Sequence, residues 1–335
     1  MYTLTVIIPG YNIEKFIDKI MKSLLADAVI PDIQILVVND GSKDRTQELA
    51  EAYEKKYPGC VRALSKENGG HGSTINYGMK YAEGKYVKVI DGDDWVNTET
   101  LIDLISWLKV TDVDLVAANY CIVNENTGES TEKKYDKVQY RKIYKFDQVC
   151  NWNDSIEFHS LIYKKDVLKK NYKQIDEHCF YVDTEHILYP LINAQTIAFY
   201  EKDFYMYRVG DVNQSVSFES YVRNRKQLKT VVLHLAEFYE EENLKIPNAV
   251  SEYISRRISK IISVLFSIYI KMPYSKQSKG ELIEFDSELK KTSFYLYDMV
   301  QLRIKILRIL NYHGMKGLRK IILMKNSVNE RGIGR

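Results

Sequence analysis

The stretch Ile33-Gln34-Ile35-Leu36-Val37-Val38-Asn39-Asp40-Gly41-Ser42 carries the reading of the fold. Its first six residues are a short apolar run of the kind found in strands buried on both faces. The run stops in a polar turn, and a polar helix is predicted from about Asp44, with Leu49, Ala52 and Tyr53 on one face. The same unit recurs on either side. Upstream, Leu4 to Ile8 reads as a strand stopped by Pro9, followed by a helix capped by Asn12, with Phe16, Ile17, Ile20, Met21 and Leu24 at helical spacing. Downstream come a short strand, Val61 to Leu64, and the loop Asn68-Gly69-Gly70-His71-Gly72. A helix from Ser73 to about Ala82, ended by Gly84, leads to a strand from Tyr86 to Ile90. A helix capped by Thr98 and a strand from Asp114 to Val123 complete the series. This alternation predicts an α/β fold with a mostly parallel sheet and helices on both faces. In such sheets ligands bind beyond the carboxyl ends of the strands.

Those ends carry Pro9-Gly10-Tyr11-Asn12, Asn39-Asp40-Gly41-Ser42 and Asp91-Gly92-Asp93-Asp94. Three carboxylates within four residues repel one another unless a cation neutralises them. Hard oxygen ligands suit Mg²⁺ or Mn²⁺, whose shell a phosphate can complete; the alternative is a solvated turn capping the next helix. Asp40 stands where a dinucleotide fold would bind a ribose, but the first strand is followed by Pro9-Gly10-Tyr11-Asn12-Ile13-Glu14 rather than G-x-G-x-x-G, which argues against a dehydrogenase. Tyr11 could stack on a base or pack at a helix start. His71 reads as a loop residue near the site, without partners at ligand spacing.

The ordered set Val6-Ile7-Ile8-Pro9-x-Tyr11-Asn12, Val37-Val38-Asn39-Asp40-Gly41-Ser42-x-Asp44-x-Thr46, Asn68-Gly69-Gly70, Asn76-x-Gly78, Ala82-x-Gly84-x-Tyr86 and Asp91-Gly92-Asp93-Asp94-Trp95 resembles family 2 glycosyltransferases. The resemblance extends more loosely to about residue 218. It implies a GT-A fold, that is, a Rossmann-like nucleotide-binding, mostly parallel mixed sheet, here with a C-terminal helical extension. The implied domains are a catalytic domain over 1–220, with a nucleotide-sugar-binding half at 1–123 and an acceptor half at 124–220, and a basic helical extension over 221–335. Carried over position by position, Pro9, Tyr11 and Asn12 line the nucleotide pocket. Asp40 binds the base, Asp44 braces its loop, and Asn76 and Asp91 lie at the donor. Asp93 and Asp94 hold a divalent ion on the donor diphosphate. The chain departs from the family at Asn39, often Asp, and at Ile75, where Arg is common; Lys66 is the candidate substitute cation. The family's general base falls on Asp183, in Tyr181-Val182-Asp183-Thr184-Glu185, with Glu185 as a nearby rival. Arg208 and Ser215 are implied phosphate contacts. No Gln-x-x-Arg-Trp is present, so a non-processive, inverting transfer is implied. The expected donor is a UDP-sugar and the expected acceptor a saccharide or lipid-linked hydroxyl in cell-surface polysaccharide synthesis. The rival expectations are an inactive binding or scaffold protein at the membrane and a sugar-nucleotide pyrophosphorylase, whose phosphate loop is missing after the first strand.

Composition narrows the class. Hydrophobic residues at 45% and charged residues at 28% exclude global disorder, and Gly 16 and Pro 6 exclude a linker-rich chain. Four cysteines without a Cys-x-x-Cys pair point to a reducing compartment. The first residues lack the basic and apolar segments of a signal peptide, so a cytoplasmic location is expected. Ile261 to Ile270, closed by Lys260 and Lys271, is too short to span a bilayer, which takes ~20 apolar residues. The net charge of +3 is uneven, because residues 301–335 hold nine Lys/Arg against Glu330. That asymmetry has two readings. One is a helical appendage packed on the domain; the other is a basic surface that places the protein peripherally on the anionic inner face of the plasma membrane. Trp152 to His159 and the Lys- and Tyr-rich 133–145 segment could line an acceptor site, and packing explains Trp152 equally well. No nucleic-acid module is present, and none is expected as a partner. Helical spacing of Ile254, Ile258, Ile261, Ile262, Leu265 and Tyr269 predicts a long helix, with a break at Pro273 and Ser275 to Gly280.

Overall fold

A computed structural model describes residues 2–152, 155–210 and 217–320. The chain divides into two compact units, 1–212 and 213–335. The first unit begins with β1 (Leu4–Gly10), α1 (Ile17–Leu24), β2 (Ile33–Asp40), α2 (Thr46–Lys56), β3 (Val61–Lys66), α3 (His71–Tyr81) and β4 (Tyr86–Val89). There follow β5 (Trp95–Val96), α4 (Thr98–Val110), β6 (Leu115–Asn124), β7 (Ser130–Lys133), β8 (Ile143–Lys145) and α5 (Phe146–Cys150). β9 (Leu161–Lys164), α6 (Lys165–Lys169), α7 (Asp183–Leu188), a 3₁₀ turn (Tyr189–Asn193) and β10 (Thr196–Val209) complete it.

The strands form one sheet in the order β3-β2-β1-β4-β9-β6-β10-β5, with β7 on β6 and β8 on β10. β1 pairs in parallel with both β2 and β4, and β10 pairs in parallel with β6. β9 enters antiparallel between β4 and β6. This is the mixed, mostly parallel α/β sheet that the strand and helix pattern predicts. Every residue of β1 and β2 is buried, which is what central strands covered by helices require. Leu4, Val6, Ile8, Ile35 and Val37 pack there with Ile17, Ile20, Leu101 and Leu104 from α1 and α4.

Three local expectations are corrected. Pro9 does not stop β1, since the strand runs on to Gly10 and Pro9 lies opposite Val38. Asn12 does not cap α1: it sits at φ +55°, and its side-chain oxygen accepts the Lys43 N–H at 2.9 Å, tying the β1 end to the β2 end. The cap of α4 is Asn97, which accepts from the Thr100 N–H, rather than Thr98.

The second unit is helical: α8 (Phe218–Arg223), α9 (Arg225–Glu242), α10 (Asn248–Lys271), α11 (Lys276–Thr292), α12 (Phe294–Asp298) and α13 (Leu302–Ile309). Ile254, Ile258, Ile262, Leu265 and Tyr269 are buried along α10, with Ile261 partly so. The expected break is much shorter than residues 273–280. Ser275 forms a capping box with Ser278, and α11 runs through Gly280. Among the described residues no helix is long and apolar enough to cross a membrane.

Candidate active site

Because β3, β2, β1 and β4 are neighbours running the same way, the ends of β1 and β2 and the loop after β4 converge. Asp40, 3% exposed, organises the first part of that edge. Its Oδ1 accepts from Lys66 Nζ and the Gly69 N–H, both at 2.9 Å, and from Ser73 Oγ at 3.3 Å. Its Oδ2 accepts only the Gly70 N–H, at 2.8 Å, which leaves one lone pair there as the acceptor capacity for a base. Gly70 is at φ +84°, the left-handed region that favours glycine, and it turns the chain into α3. Asp44 accepts the Glu14 and Thr46 N–H groups and so ties the two turns. Burial would raise its pKa, but those hydrogen bonds outweigh it and hold it low. Tyr11 lies beside this loop with its ring half exposed.

Two sequence-based assignments change here. Lys66 is fully engaged by Asp40, Ser73 Oγ and the Glu67 carbonyl, so it is not a free donor cation. Asn76 turns its amide to the 172–177 segment. Its Oδ1 accepts from the Tyr172 hydroxyl (2.6 Å) and the Ile175 N–H (3.1 Å), and its Nδ2 donates to the Ile175 carbonyl (2.8 Å). Asn76, expected at the donor, braces the approach to α7. Ile75 is fully buried, so the family's Arg position is a core position in this chain.

The acidic loop after β4 is held by β10. Antiparallel pairing of β5 with β10 sets Tyr205 opposite Val96. The Tyr205 hydroxyl donates to Asp94 Oδ2 at 2.5 Å, and the Arg208 N–H donates to Asp94 Oδ1 at 2.7 Å. The Arg208 guanidinium bridges Asp93 (3.0 Å) and Glu125 (2.6 Å). Asp94 is 2% exposed with each oxygen already accepting a bond, whereas Asp91 and Asp93 keep 28% and 34% of their side chains accessible. Asp91 and Asp93 are therefore the more accessible pair, and Asp94, expected as a metal ligand, also braces the loop against β10. Burial, then Asp93, pushes the Asp91 pKa up to about 7, while Lys88 and Tyr205 pull it down. Burial, then Asp91 and Asp93, push Asp94 well above the usual carboxylate range, against its bonds from Tyr205 and the Arg208 N–H. Ligand atoms of Asp91, Asp94 and His159 lie within 4.8 Å of one another. The carboxylate oxygens of this crowded set suit a divalent Mg²⁺ or Mn²⁺.

Below the cluster lies Lys88, 1% exposed on β4. Its ammonium donates to the carbonyls of Phe158 and His159 at 2.8 Å and of Leu161 at 3.0 Å. It also sits 4.8 Å from the centre of the Tyr205 ring. Burial lowers its pKa to about 7, against the attraction of Asp91 and Asp94. The His159 ring stacks on Tyr207 at 4.0 Å between centroids, and burial lowers its pKa to about 3.

Asp183 opens α7 and is exposed, yet the protein around it desolvates it enough to raise its pKa. Among charges, His71 acts on it most strongly and opposes that rise. Asp183 is in turn the leading charge acting on His71. His71 Nε2 also lies 3.7 Å from Asp91 Oδ1, so the imidazole interacts with both the acidic loop and Asp183. The rival Glu185 is fully buried, accepting from the Asp176 N–H and the Tyr189 hydroxyl, both at 2.8 Å. Ser215 lies outside the described residues, as do Asn213 and Gln214 beside it. Trp152 packs edge-on to Tyr144 and stacks on Phe199.

Residues 5–171 match the model of glycosyl transferase family 2. The chain belongs to that family. It is 30% identical over 187 residues to the minor teichoic acid biosynthesis protein GgaB of Bacillus subtilis, covering 53% of this chain and 20% of that protein. It is 26% identical over 298 residues to the poly(ribitol-phosphate) beta-N-acetylglucosaminyltransferase TarS of Staphylococcus aureus, covering 85% of this chain and 49% of that one. The chain thus spans from one fifth to half the length of these curated relatives. The crystal structure of S. aureus TarS residues 1–349 with UDP-GlcNAc superposes with a TM-score of 0.64 at 20% identity, over 95% of this chain and 88% of that one. A mannosyltransferase of Pyrobaculum calidifontis solved with GDP-Man and Mn²⁺ gives 0.50 at 15% identity, over 87% and 81%. These likenesses establish the GT-A fold.

Sequence reasoning missed Lys88, Tyr205 and the bridging position of His71. The available signal for Lys88 was a lysine inside the otherwise apolar strand Tyr86-Val87-Lys88-Val89.

Proposed function

We propose that this chain is a metal-dependent, inverting, non-processive glycosyltransferase. It moves a sugar from a nucleotide diphosphate, a UDP-sugar, to a hydroxyl of a saccharide or lipid-linked acceptor in the building of a cell-surface polymer. The observation that carries the reading is a set of acidic groups of different character around one imidazole. Asp91, Asp93 and Asp94 crowd the loop after β4, where His71 Nε2 lies 3.7 Å from Asp91, and Asp183, which opens α7, is close enough to feel the charge of the same His71. The TarS likeness supports the nucleotide class.

In this reading the Tyr11 ring stacks on the base and the remaining lone pair of Asp40 Oδ2 accepts its N–H. Asp91 and Asp93, with Asp94 behind them, would hold a divalent cation whose charge offsets that of the departing diphosphate. Arg208, fixed by Glu125 and Asp93, adds a positioned positive charge on the same side. Asp183 removes the proton from the acceptor hydroxyl as that oxygen attacks the anomeric carbon. Attack on the face opposite the leaving diphosphate inverts the anomeric centre.

The test separates binding from transfer. UDP with Mn²⁺ should raise the melting temperature of both the native chain and Asp183→Asn, by about 2.7 kcal/mol of stabilisation at ~100 Kd. Release of UDP from UDP-GlcNAc in the presence of acceptor should fall by ~10²-fold or more in Asp183→Asn. Near-native turnover in that variant would remove Asp183 as the base.

A further inference from the structure

In the second unit α13 is amphipathic in an unusual sense, because both of its faces are apolar and only one is covered. The inner face is sealed: Ile304 and Leu307 are buried, Arg308 grips Asp286 at 2.5–3.0 Å, and the Tyr312 hydroxyl donates to the same carboxylate. The outer face carries Leu302, Ile306 and Ile309, which are 72%, 47% and 80% exposed, and Leu310, 48% exposed, follows at the C-cap. Steps of four and three residues place the first three side chains on one ridge of the helix. Residues 301–320 hold six Lys/Arg and no Asp or Glu. Arg303, Arg308 and Arg319 turn to Ser267, Asp286 and the Lys271 carbonyl, and Lys305 pairs with Asp298, which leaves Lys316 and Lys320 as the exposed cations. Exposed apolar side chains beside such cations are the composition of a helix lying in a membrane interface.

We infer that the α13 ridge docks on an anionic lipid bilayer, with Leu302, Ile306 and Ile309 entering the headgroup–acyl boundary and the exposed Lys316 and Lys320 lying against lipid phosphates. Charge selects this occupant. A second copy meeting the ridge about a two-fold axis would set like charges against like, and a nucleic-acid backbone has no use for exposed leucine and isoleucine. Each cation near an anionic surface contributes about 1 kcal/mol at short range and is screened by salt. A bilayer surface would also present a lipid-linked acceptor. The inference rests on the ridge itself and not on the donor-site reading, so either can fail alone.

The experiment is flotation of the full chain with vesicles of phosphatidylglycerol and phosphatidylcholine in equal parts, and with phosphatidylcholine alone. Native protein should float with the anionic vesicles and leave the neutral ones. Leu302→Ser/Ile309→Ser, at two exposed positions, should keep the native melting temperature and the native UDP-induced shift while losing at least ten-fold in bound fraction. Lys316→Glu/Lys320→Glu should lose binding in the same way. Flotation of the serine double variant equal to native overturns the inference, as does failure of the native chain to float. A native dimer that becomes monomeric in the serine variant would assign the ridge to self-association. Binding lost on removal of residues 321–335 but kept in the serine double variant would assign it to that segment; either result overturns the lipid reading.

Discussion

Lys88→Met is the most informative single change, because it removes a charge while keeping the length of the side chain. The native ammonium makes three hydrogen bonds to carbonyls of residues 158–161 and faces Asp91 and Asp94 from below. Two opposing quantities decide the outcome. Methionine relieves the desolvation of a buried ammonium, which costs several kcal/mol. It also leaves carbonyls short of a donor at about 1–3 kcal/mol each, and two buried carboxylates without their cation. Breaking one side of a buried charge cluster usually dominates, at about 3–5 kcal/mol. The Phe158 carbonyl keeps the Leu161 N–H at 3.3 Å, so the lower end of that range, about 3 kcal/mol, is expected. For a unit of this size that lowers the melting temperature by roughly 6–12 °C. A second effect follows at Asp91. Lys88 pulls its pKa down, and without Lys88 the group titrates above about 7. The acid limb of UDP–Mn²⁺ binding should then move to higher pH. Calorimetric melting and titration of UDP against pH measure both. A melting temperature equal to or above native, with an unmoved acid limb, would refute the claim that Lys88 holds the cluster together.

Four further outcomes are expected. Asp94→Asn, which disturbs the brace of Tyr205 and the Arg208 N–H, should lower stability by about 1–3 kcal/mol; Asp93→Asn should leave the melting temperature nearly native and weaken Mn²⁺ binding, measured by isothermal titration. His159 and His186 are both held neutral by burial, with pKa values of about 3 against 6.5 unfolded. The unfolded chain therefore binds protons that the folded chain refuses between pH 6.5 and 3, and stability should fall on acidification through that window by up to about 3 kcal/mol per pH unit. Denaturant melts of His186→Gln should show a shallower slope if it still folds, and an unchanged slope would sink the assignment. His71→Gln should leave UDP affinity within a few-fold of native and shift the pH profile of transfer, because His71 is the leading charge acting on Asp183; a flat profile change with intact kcat would make His71 a loop residue only. Gly72→Ala should be strongly destabilising, since a Cβ there would stand 2.2 Å from the Asp176 carbonyl oxygen; a native melting temperature would show that the 172–177 segment moves freely.

The parts of the molecule that were legible in the sequence are those made by neighbours in the chain. The apolar runs 4–8 and 33–38 announce buried strands because each is sufficient evidence of its own burial. The parallel order then follows from the helices between them, and it brings Asp40 and the acidic loop to one edge. What the motif positions could not give was direction. Lys66 and Asn76 lie near the edge, yet Lys66 is spent on Asp40 itself and Asn76 is turned to residues 172–177. Asp183 and Glu185 share one helical turn and one formal charge, and only burial of Glu185 against Asp176 and Tyr189 separates them. Asn12 and Thr98 were misread as caps for a related reason, since cap chemistry depends on a backbone angle that composition does not fix.

The acidic loop shows why this boundary falls where it does. Its carboxylates are contiguous in sequence, but the groups that set their character are not. Tyr205 and Arg208 reach Asp94 and Asp93 across 111 to 115 residues, and Lys88 reaches its carbonyls across 70 to 73. A local motif can therefore announce that negative charge is concentrated, while the sheet decides which carboxylate is buried as a brace and which remain accessible. That division, Asp94 inside and Asp91 with Asp93 outside, follows from the register of β10 against β5 and β6. A one-residue slip in that register would turn Tyr205 to the opposite face of the sheet and undo the Asp94 brace without altering one residue of the motif.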